Sequence, residues 1–393
     1  MPRSRSILLA AAAALIAGGT ATLFAVDASA ATACATAWSA SAVYLGGGTA
    51  SQNGHDYTAK WWTQNESPAT HSGTWDVWAD NGTCGGTTTP TSSPTTSPTA
   101  GTGTGMAAAP YVYPGWGNPP APSTVVNATG IKAFTMAFVL ASNGCNPAWD
   151  GETGLTGGAH ATYIAQIKAA GADVVPSIGG WSGNKLGPNC AGAEALAGAY
   201  QKVIDAFGLK AIDVDIENTD EFENTAVQDR ILGALKIIKA NNPSVKTIVT
   251  FGTSTTGPTY YGTRLIQQAE ALGANIDVFT QMPFDFGASD IYTATVGATE
   301  GLRTTLMSTF GYTEAQAYAH IGISGMNGLS DQQELTSLDT WTRIRDYAKG
   351  KGLARLAFWS VNRDRGCAGG GVVSDCSGIA QDDWAFTKVS AGF

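Results

Sequence analysis

Charge is scarce in this chain: 13% of its 393 residues are Asp, Glu, Lys or Arg, against about 25% in ordinary soluble proteins. Surface polarity must therefore come from Ser, Thr, Asn and Gly. The formal net charge is −9, with no cluster of Lys or Arg, which argues against a nucleic-acid partner. No C-x-x-C pair or tight Cys/His grouping occurs, so a zinc site lacks its ligand spacing. Neither metal nor other cofactor is expected. Beyond the N-terminus no run approaches the roughly 20 apolar residues of a membrane span. Disorder does not follow from the low charge, because 44% of the residues are hydrophobic.

What is present begins with "MPRSRS", an apolar run, and "DASA" with small residues at Ala28 and Ala30. This is the pattern of a secretory signal, residues 1–30, cleaved after Ala30. An exported, extracellular chain is expected, with no membrane attachment after cleavage. Removing Arg3, Arg5 and Asp27 leaves 20 basic against 30 acidic residues, a net −10. All six cysteines follow the signal, and an even count in an exported chain points to disulfides. Nearest-neighbour pairing gives Cys34–Cys84, Cys145–Cys190 and Cys367–Cys376.

Residues 86–105 contain only Gly, Thr, Pro, Ser and Ala. Nothing there can build a core, so the stretch reads as an extended tether. It separates a small segment, 31–85, from a large one, 106–393. The small segment holds five tryptophans, Trp38, Trp61, Trp62, Trp75 and Trp78, too many for so small a domain to bury. Exposed indole faces match the CH faces of pyranose rings, whereas Trp38 and Trp75 read better as core. Strand alternation turns one of Trp61 and Trp62 inward and the other outward. With Tyr44, Tyr57 and the "WWTQNESP" run, this segment resembles the chitin-binding modules of carbohydrate-binding families 5 and 12. The resemblance implies a small all-β, disulfide-stapled domain. It would bind insoluble chitin through one of Trp61/Trp62 together with Tyr57 or Tyr44.

The large segment alternates apolar runs at 109–116, 133–141, 172–180, 209–217, 246–252, 276–286, 319–326 and 353–362 with amphipathic runs, several ending at Gly or Asn. Eight strands alternating with helices predict an α/β fold, a (β/α)8 TIM barrel. A doubly wound sheet would need a Gly-rich phosphate turn after its first strand, and "YPGWGNPP" offers none.

On the fourth strand, "AIDVDIE" alternates Ile212, Val214 and Ile216 with Asp213, Asp215 and Glu217. Side chains two apart share a face and lie about 6.5 Å apart along the strand. In a barrel the aliphatics should face helices and the acids the interior, with Glu217 nearest the C-terminal mouth where barrel active sites lie. With no Lys or Arg expected nearby, the acids must share protons. Repulsion and desolvation then raise at least one pKa and leave a proton donor near neutral pH.

These residues also resemble the D-x-x-D-x-D-x-E signature of glycoside hydrolase family 18, the chitinases. "SIGGWSG" (177–183) is similar to the family's S-x-G-G motif, "MPFDFG" (282–287) to its M-x-M-D-Y-G form, and "AFWSVNRDRGC" (357–367) to its eighth strand. The resemblance implies retaining, substrate-assisted hydrolysis of chitin and N-acetylglucosamine oligosaccharides, an exception to the two-carboxylate scheme. Glu217 would be the acid, Asp215 would hold the acetamido N–H, and Asp213 would take up the shared proton. Asp285 and Trp359 would contact the sugar, and Met282, Gln281, Ser177, Gly180 and Trp181 would line its site. A monomer is expected. The alternatives are an endo-β-N-acetylglucosaminidase and a non-catalytic chitin lectin. The first sits poorly with a chitin-binding module, the second with the retained Glu217.

Two departures stand out. Lys210 replaces the signature's first Asp, but period two takes it off the inward face. Phe284 and Phe286 flank Asp285 where relatives carry a Tyr, which leaves Gln281 and Tyr292 as candidates to replace its hydroxyl. Other residues read as structure: His160, His320 and an ion-paired loop of Arg363, Asp364 and Arg365. Trp116, Trp149 and Trp181 follow strands and could either stack on sugar or pack in the core. No long insertion separates the seventh and eighth strands, which favours an open cleft and endo action.

Overall fold

The computed structural model describes residues 34–40, 42–44, 47–60, 63–73, 76–84, 106–367 and 370–393. The signal sequence, the tether, and Trp61, Trp62 and Trp75 lie outside the described residues. The chain divides into two compact units, Met1–Thr95 and Thr96–Phe393. Among the described residues no helix is long and apolar enough to cross a membrane.

The small unit is built on a three-stranded antiparallel sheet of Thr49–Gln52, His55–Ala59 and Trp78–Thr83, with Val43–Tyr44 paired to Thr63–Gln64. Asn53 and Gly54, at φ 53 and 76, form the two-residue turn whose left-handed twist suits a hairpin. Alternation along His55–Ala59 sends Tyr57 and Ala59 inward, where they pack with Ala50 and Trp78. Tyr57 is therefore core, 5% exposed, which corrects its assignment to a sugar-binding face. Tyr44 is half-buried, its ring edge-on to Trp78 at 4.9 Å, and Trp38 packs on the same cluster. The Trp78 indole N–H donates to the Glu66 carbonyl, so the buried ring keeps its donor satisfied.

The large unit closes eight parallel strands into a barrel: β1 (Tyr111–Val112), β2 (Ala133–Ser142), β3 (Asp173–Gly179), β4 (Ala211–Ile216), β5 (Lys246–Ser254), β6 (Val278–Met282), β7 (Ile321–Met326) and β8 (Arg355–Trp359). Each pairs in parallel with its neighbour. Closure comes from the bridge between Ala108 and Leu356. Regular pairing of β1 is shorter than the predicted 109–116 because Pro110 and Pro114 have no N–H to give a ladder. Helices follow the strands: α1 (Pro122–Thr129), α2 (Gly158–Ala169), α3 (Ala193–Phe207), α4 (Thr225–Asn241), α5 (Tyr260–Leu272), α6 (Ile291–Phe310), α7 (Leu338–Lys351) and α8 (Ala385–Ser390). Gly208, Gly273, Gly311 and Gly352 end four of them in left-handed conformation, as C-cap glycines do.

Barrel parity places the site. Ile212, Val214 and Ile216 join the apolar layer between strands and helices, while Asp213 and Asp215 are buried on the other face. A small apolar plug of Ala109, Ala133, Val175, Ala211, Ile248 and Val278 fills the barrel below them. Lys210 stays at the surface, 2.9 Å from Asp173. All three disulfides pair nearest neighbours, Cys34–Cys84, Cys145–Cys190 and Cys367–Cys376.

The Cys34–Cys84 bond spans 50 residues of a unit with little core. Replacing both cysteines by Ser should cost the small unit about 2–5 kcal/mol. Limited proteolysis of the full chain should then cut within residues 34–84 and spare the barrel. Resistance equal to wild type would show that the small core suffices alone.

Candidate active site

The acid row is graded by environment. Asp213 accepts three hydroxyl hydrogen bonds, from Tyr111 at 2.6 Å and Ser177 at 2.7 Å on Oδ2 and from Thr250 at 2.6 Å on Oδ1. Arg355 Nη1 lies 3.9 Å from the same Oδ1. Asp215, one level higher, is 3% exposed and its Oδ1 has no partner. Burial first, then the charges of Glu217 and Asp213, push its carboxyl well above the usual range. Glu217 sits half-buried at the end of the row, pushed up to about 7 by burial against the opposing pull of Lys185. Raised carboxyl pKa values of this kind mark groups able to donate a proton near neutrality.

The acids are not without cations, contrary to the sequence expectation. Arg355 rises from β8 beneath them, and Lys185 is buried beside them, its Nζ donating to the Trp181 carbonyl at 3.2 Å and 3.8 Å from Asp220. The turn after β4, Asn218–Phe222, brings in Glu221, which is buried with Oε2 unpartnered and pushed up to about 8 by burial. A Cβ on Gly187 would come within 2.5 Å of its Oε1, so that glycine makes room for the carboxyl. Sequence reading missed Lys185 and Glu221, which no strand period marks. Arg355 was findable: it shares the inward face with Trp359, four residues on.

Above the row opens a cleft of ≈ 1020 Å³ lined by Asp215, Glu217, Trp116, Trp181, Met282, Phe284, Asp285 and Trp359 among others. Trp359 is half-buried and stacks on Phe138, centroids 5.6 Å apart at 11°. Trp116 and Trp181 expose 55% and 67% of their surface. Trp149 is instead fully buried, stacked on His160 at 5.1 Å. Asp285, at φ 52, accepts the Gln332 N–H on Oδ1 and donates its own N–H to Glu334. Glu334 also accepts from the Phe286 and Ala288 N–H groups, which ties the loop after β6 to the loop after β7.

Three predicted lining residues face elsewhere. Gln281 points out of the barrel and donates to Thr299 on α6, because period two opposes it to the inward Met282. Ser177 is buried and its hydroxyl is committed to Asp213. Gly180, at φ 89, leaves room for the Phe138 ring, which a Cβ would meet at 2.8 Å. Neither candidate replaces the missing tyrosine hydroxyl: Gln281 faces α6, and Tyr292 lies under the Arg343 guanidinium at 3.9 Å. Phe286 packs on the core. Thr253, whose hydroxyl has no protein partner, lines the cleft from β5.

Among the described residues, the loop after β8 shows no ion pair of Arg363, Asp364 or Arg365, contrary to expectation. Arg363 donates to the carbonyls of Val373 and Leu329, Arg365 to that of Asn118. Asp364 accepts the N–H groups of Phe386 and Thr387 at the start of α8. His320 bonds the Asp277 carbonyl and stacks on Tyr312, a structural role.

A protonable acid at the lip of a (β/α)8 barrel, beside a flat aromatic floor, is an arrangement able to protonate the leaving group of a ligand stacked on that floor. Comparison with known proteins narrows this. Residues 37–79 match the model of carbohydrate-binding module family 5/12. The chain is 26% identical over 285 residues to a probable bifunctional chitinase/lysozyme of Escherichia coli (strain K12), covering 67% of this chain and 32% of that protein. It is 26% identical over 253 residues to endochitinase 11 of Metarhizium anisopliae, covering 60% and 48%. The chain thus spans a third to a half of the length of these curated relatives. The catalytic domain of a hyperthermophilic chitinase from Pyrococcus furiosus superposes with a TM-score of 0.66 at 26% identity, covering 72% of this chain and 93% of that one. The large unit is thus similar to the catalytic domains of known chitinases, and residues 37–79 to a carbohydrate-binding module.

A carboxyl whose folded pKa is raised holds its proton where the unfolded chain has lost it. Its burial costs nothing below the unfolded value near 4.3 and costs progressively more as pH climbs toward the folded value. Glu217→Gln removes that cost. The variant should be more stable than wild type at pH 8 by on the order of 2 kcal/mol, and the gap should close by pH 4. Melting curves across that range test it; a constant or inverted gap would contradict the assignment.

Proposed function

We propose that the protein is an exported chitinase that hydrolyses β-1,4 linkages between N-acetylglucosamine units, acting within chains rather than from their ends. The observation that carries this reading is the acid row: a buried Asp215 and a lip carboxyl, Glu217, poised near neutrality over the Trp359 floor. The relatives' names, chitinase and endochitinase, point the same way. Export follows from the signal-like N-terminus.

In this mechanism Glu217 protonates the glycosidic oxygen and the bond to the anomeric carbon breaks. The sugar's own acetamido oxygen bonds that carbon from the other face and gives an oxazolinium ion. Asp215 faces the acetamido N–H and stabilises the positive charge. Glu217, now a carboxylate, takes a proton from water as the water oxygen attacks the anomeric carbon; the bond to the acetamido oxygen breaks, the acetamido group re-forms, and configuration is retained. Trp359 supplies a flat apolar face under the ring. The open cleft with exposed Trp116 and Trp181 supports endo action, as does the short β7–β8 connection, which holds only a small hairpin (Gly328–Leu329 with Leu335–Thr336) and α7.

Colloidal chitin should be degraded by the wild type and, with Glu217→Gln, more slowly by about 10²–10⁴-fold. Because the acid must carry its proton, kcat should fall above pH about 7. No oligosaccharide from the wild type would overturn the enzyme reading; a fully active variant would overturn the role of Glu217. Removing residues 31–105 should weaken binding to insoluble chitin and leave turnover of soluble oligomers near wild type. Loss of both would place the small unit in catalysis.

A further inference from the structure

Beneath the acid row lies a guanidinium that the mechanism above does not use. Arg355 is 1% exposed, in a tier that barrels normally fill with branched aliphatics. Its Nη2 donates to Thr135 Oγ1 on β2 at 2.7 Å, and its Nη1 to Thr280 Oγ1 on β6 at 3.2 Å and Thr250 Oγ1 on β5 at 3.4 Å. Thr250 in turn donates its proton to Asp213 Oδ1 at 2.6 Å, the oxygen 3.9 Å from Nη1. The guanidinium also lies 5.6 Å from the centre of the Tyr111 ring, and the Tyr111 hydroxyl donates to the other Asp213 oxygen. Room for this arrangement comes from Gly322, where a Cβ would meet Thr280 Oγ1 at 2.5 Å and the Arg355 Cβ at 3.1 Å.

A buried guanidinium needs a counter-charge, and hydrogen bonds donated to a carboxyl group favour its charged form. Both oxygens of Asp213 accept hydroxyl hydrogen bonds, which together with the nearby guanidinium favour the charged form. Asp215 has the opposite surroundings, an unpartnered buried Oδ1.

We infer that Arg355 is a positioning residue that locks Asp213 in its ionised form and so confines the row's mobile proton to Asp215 and Glu217. Asp213 is then a fixed anion, not the proton acceptor that the family resemblance implied. The inference rests on the hydrolase reading for its kinetic consequences but not for its spectroscopic ones. Among the described residues, the charged and titratable groups acting on the row include Tyr111 from β1, Arg355 from β8, and Lys185 and Glu221 beside it, with Asp150, Asp285, Asp331 and Arg363 lining the same cleft.

The test compares full-length wild type with Arg355→Met, Arg355→Lys and Thr250→Val. By difference infrared spectroscopy at pH 7, the wild type should show, beside the contributions of Glu217 and Glu221, a protonated-carboxyl component that Asp215→Asn removes and Asp213→Asn leaves. In Arg355→Met that component should instead be removed by Asp213→Asn. With the cation gone, the acid limb of kcat should move up by on the order of one pH unit. KM should hold while kcat falls roughly tenfold, an effect on the chemical step rather than on binding. Arg355→Lys keeps the charge and should retain the wild-type band and acid limb.

A wild-type band assignment and pH profile in Arg355→Met would overturn the inference, as would a lysine variant that behaves like the methionine. Should Arg355→Met fail to fold, Thr250→Val decides: its acid limb should shift in the same direction by less, and an unmoved limb counts against the lock. Absence of hydrolysis by the wild type would sink the chitinase reading alone, since the infrared arm still reports where the proton sits.

Discussion

Everything around this site follows from three carboxyl groups on one face of one barrel strand. An isolated ionised carboxylate in a protein interior is prohibitive, so each acid needs a counter-charge, a set of donors or a proton. The barrel supplies all three in sequence up the strand. Asp213 has donors and a cation, Asp215 a proton, and Glu217 a position at the lip where burial and Lys185 oppose each other. The gradient from fixed anion to exchangeable acid comes from the depth of each residue in the barrel.

That arrangement dictates side-chain sizes on neighbouring strands. A Cβ at Gly179 would meet the Asp215 carbonyl oxygen at 2.2 Å, and one at Gly180 the Phe138 ring at 2.8 Å. The two glycines of the third strand therefore serve packing: one lets β3 approach β4 closely, the other seats the ring on which Trp359 stacks. Across the barrel, Gly322 leaves space beside Arg355 and Thr280.

Strand order, the inward acid face, Trp359 and the disulfide pairing were legible because they rest on local periodicity and on nearest-neighbour counting. Period two alone also opposes Gln281 to Met282, and the structure turns it toward Thr299 as that rule requires. What stayed hidden depends on tertiary approach. Lys185 and Glu221 lie on a loop and an irregular turn, and only the closed barrel brings them beside Asp215 and Glu217. Tyr57 looks like a surface aromatic in sequence, and its burial follows from a hairpin register set by the Asn53–Gly54 turn.

The scarcity of charge takes on meaning against this background. Asp213, Asp215 and Glu221 are buried against one another and against Arg355 and Lys185, so their protons are governed by neighbours more than by bulk solvent. A surface of Ser, Thr, Asn and Gly adds little long-range field to that balance. The substrate proposed above, a neutral and hydroxyl-rich polymer, needs no electrostatic steering; it needs flat apolar faces and hydrogen-bonding groups, and exposed Trp116 and Trp181 beside the half-buried Trp359 supply the first. Lys185, Asp213, Asp215, Glu221 and Arg355, all buried, thus gather where the proposed mechanism holds and releases a proton, and the rest of the cleft is left to shape.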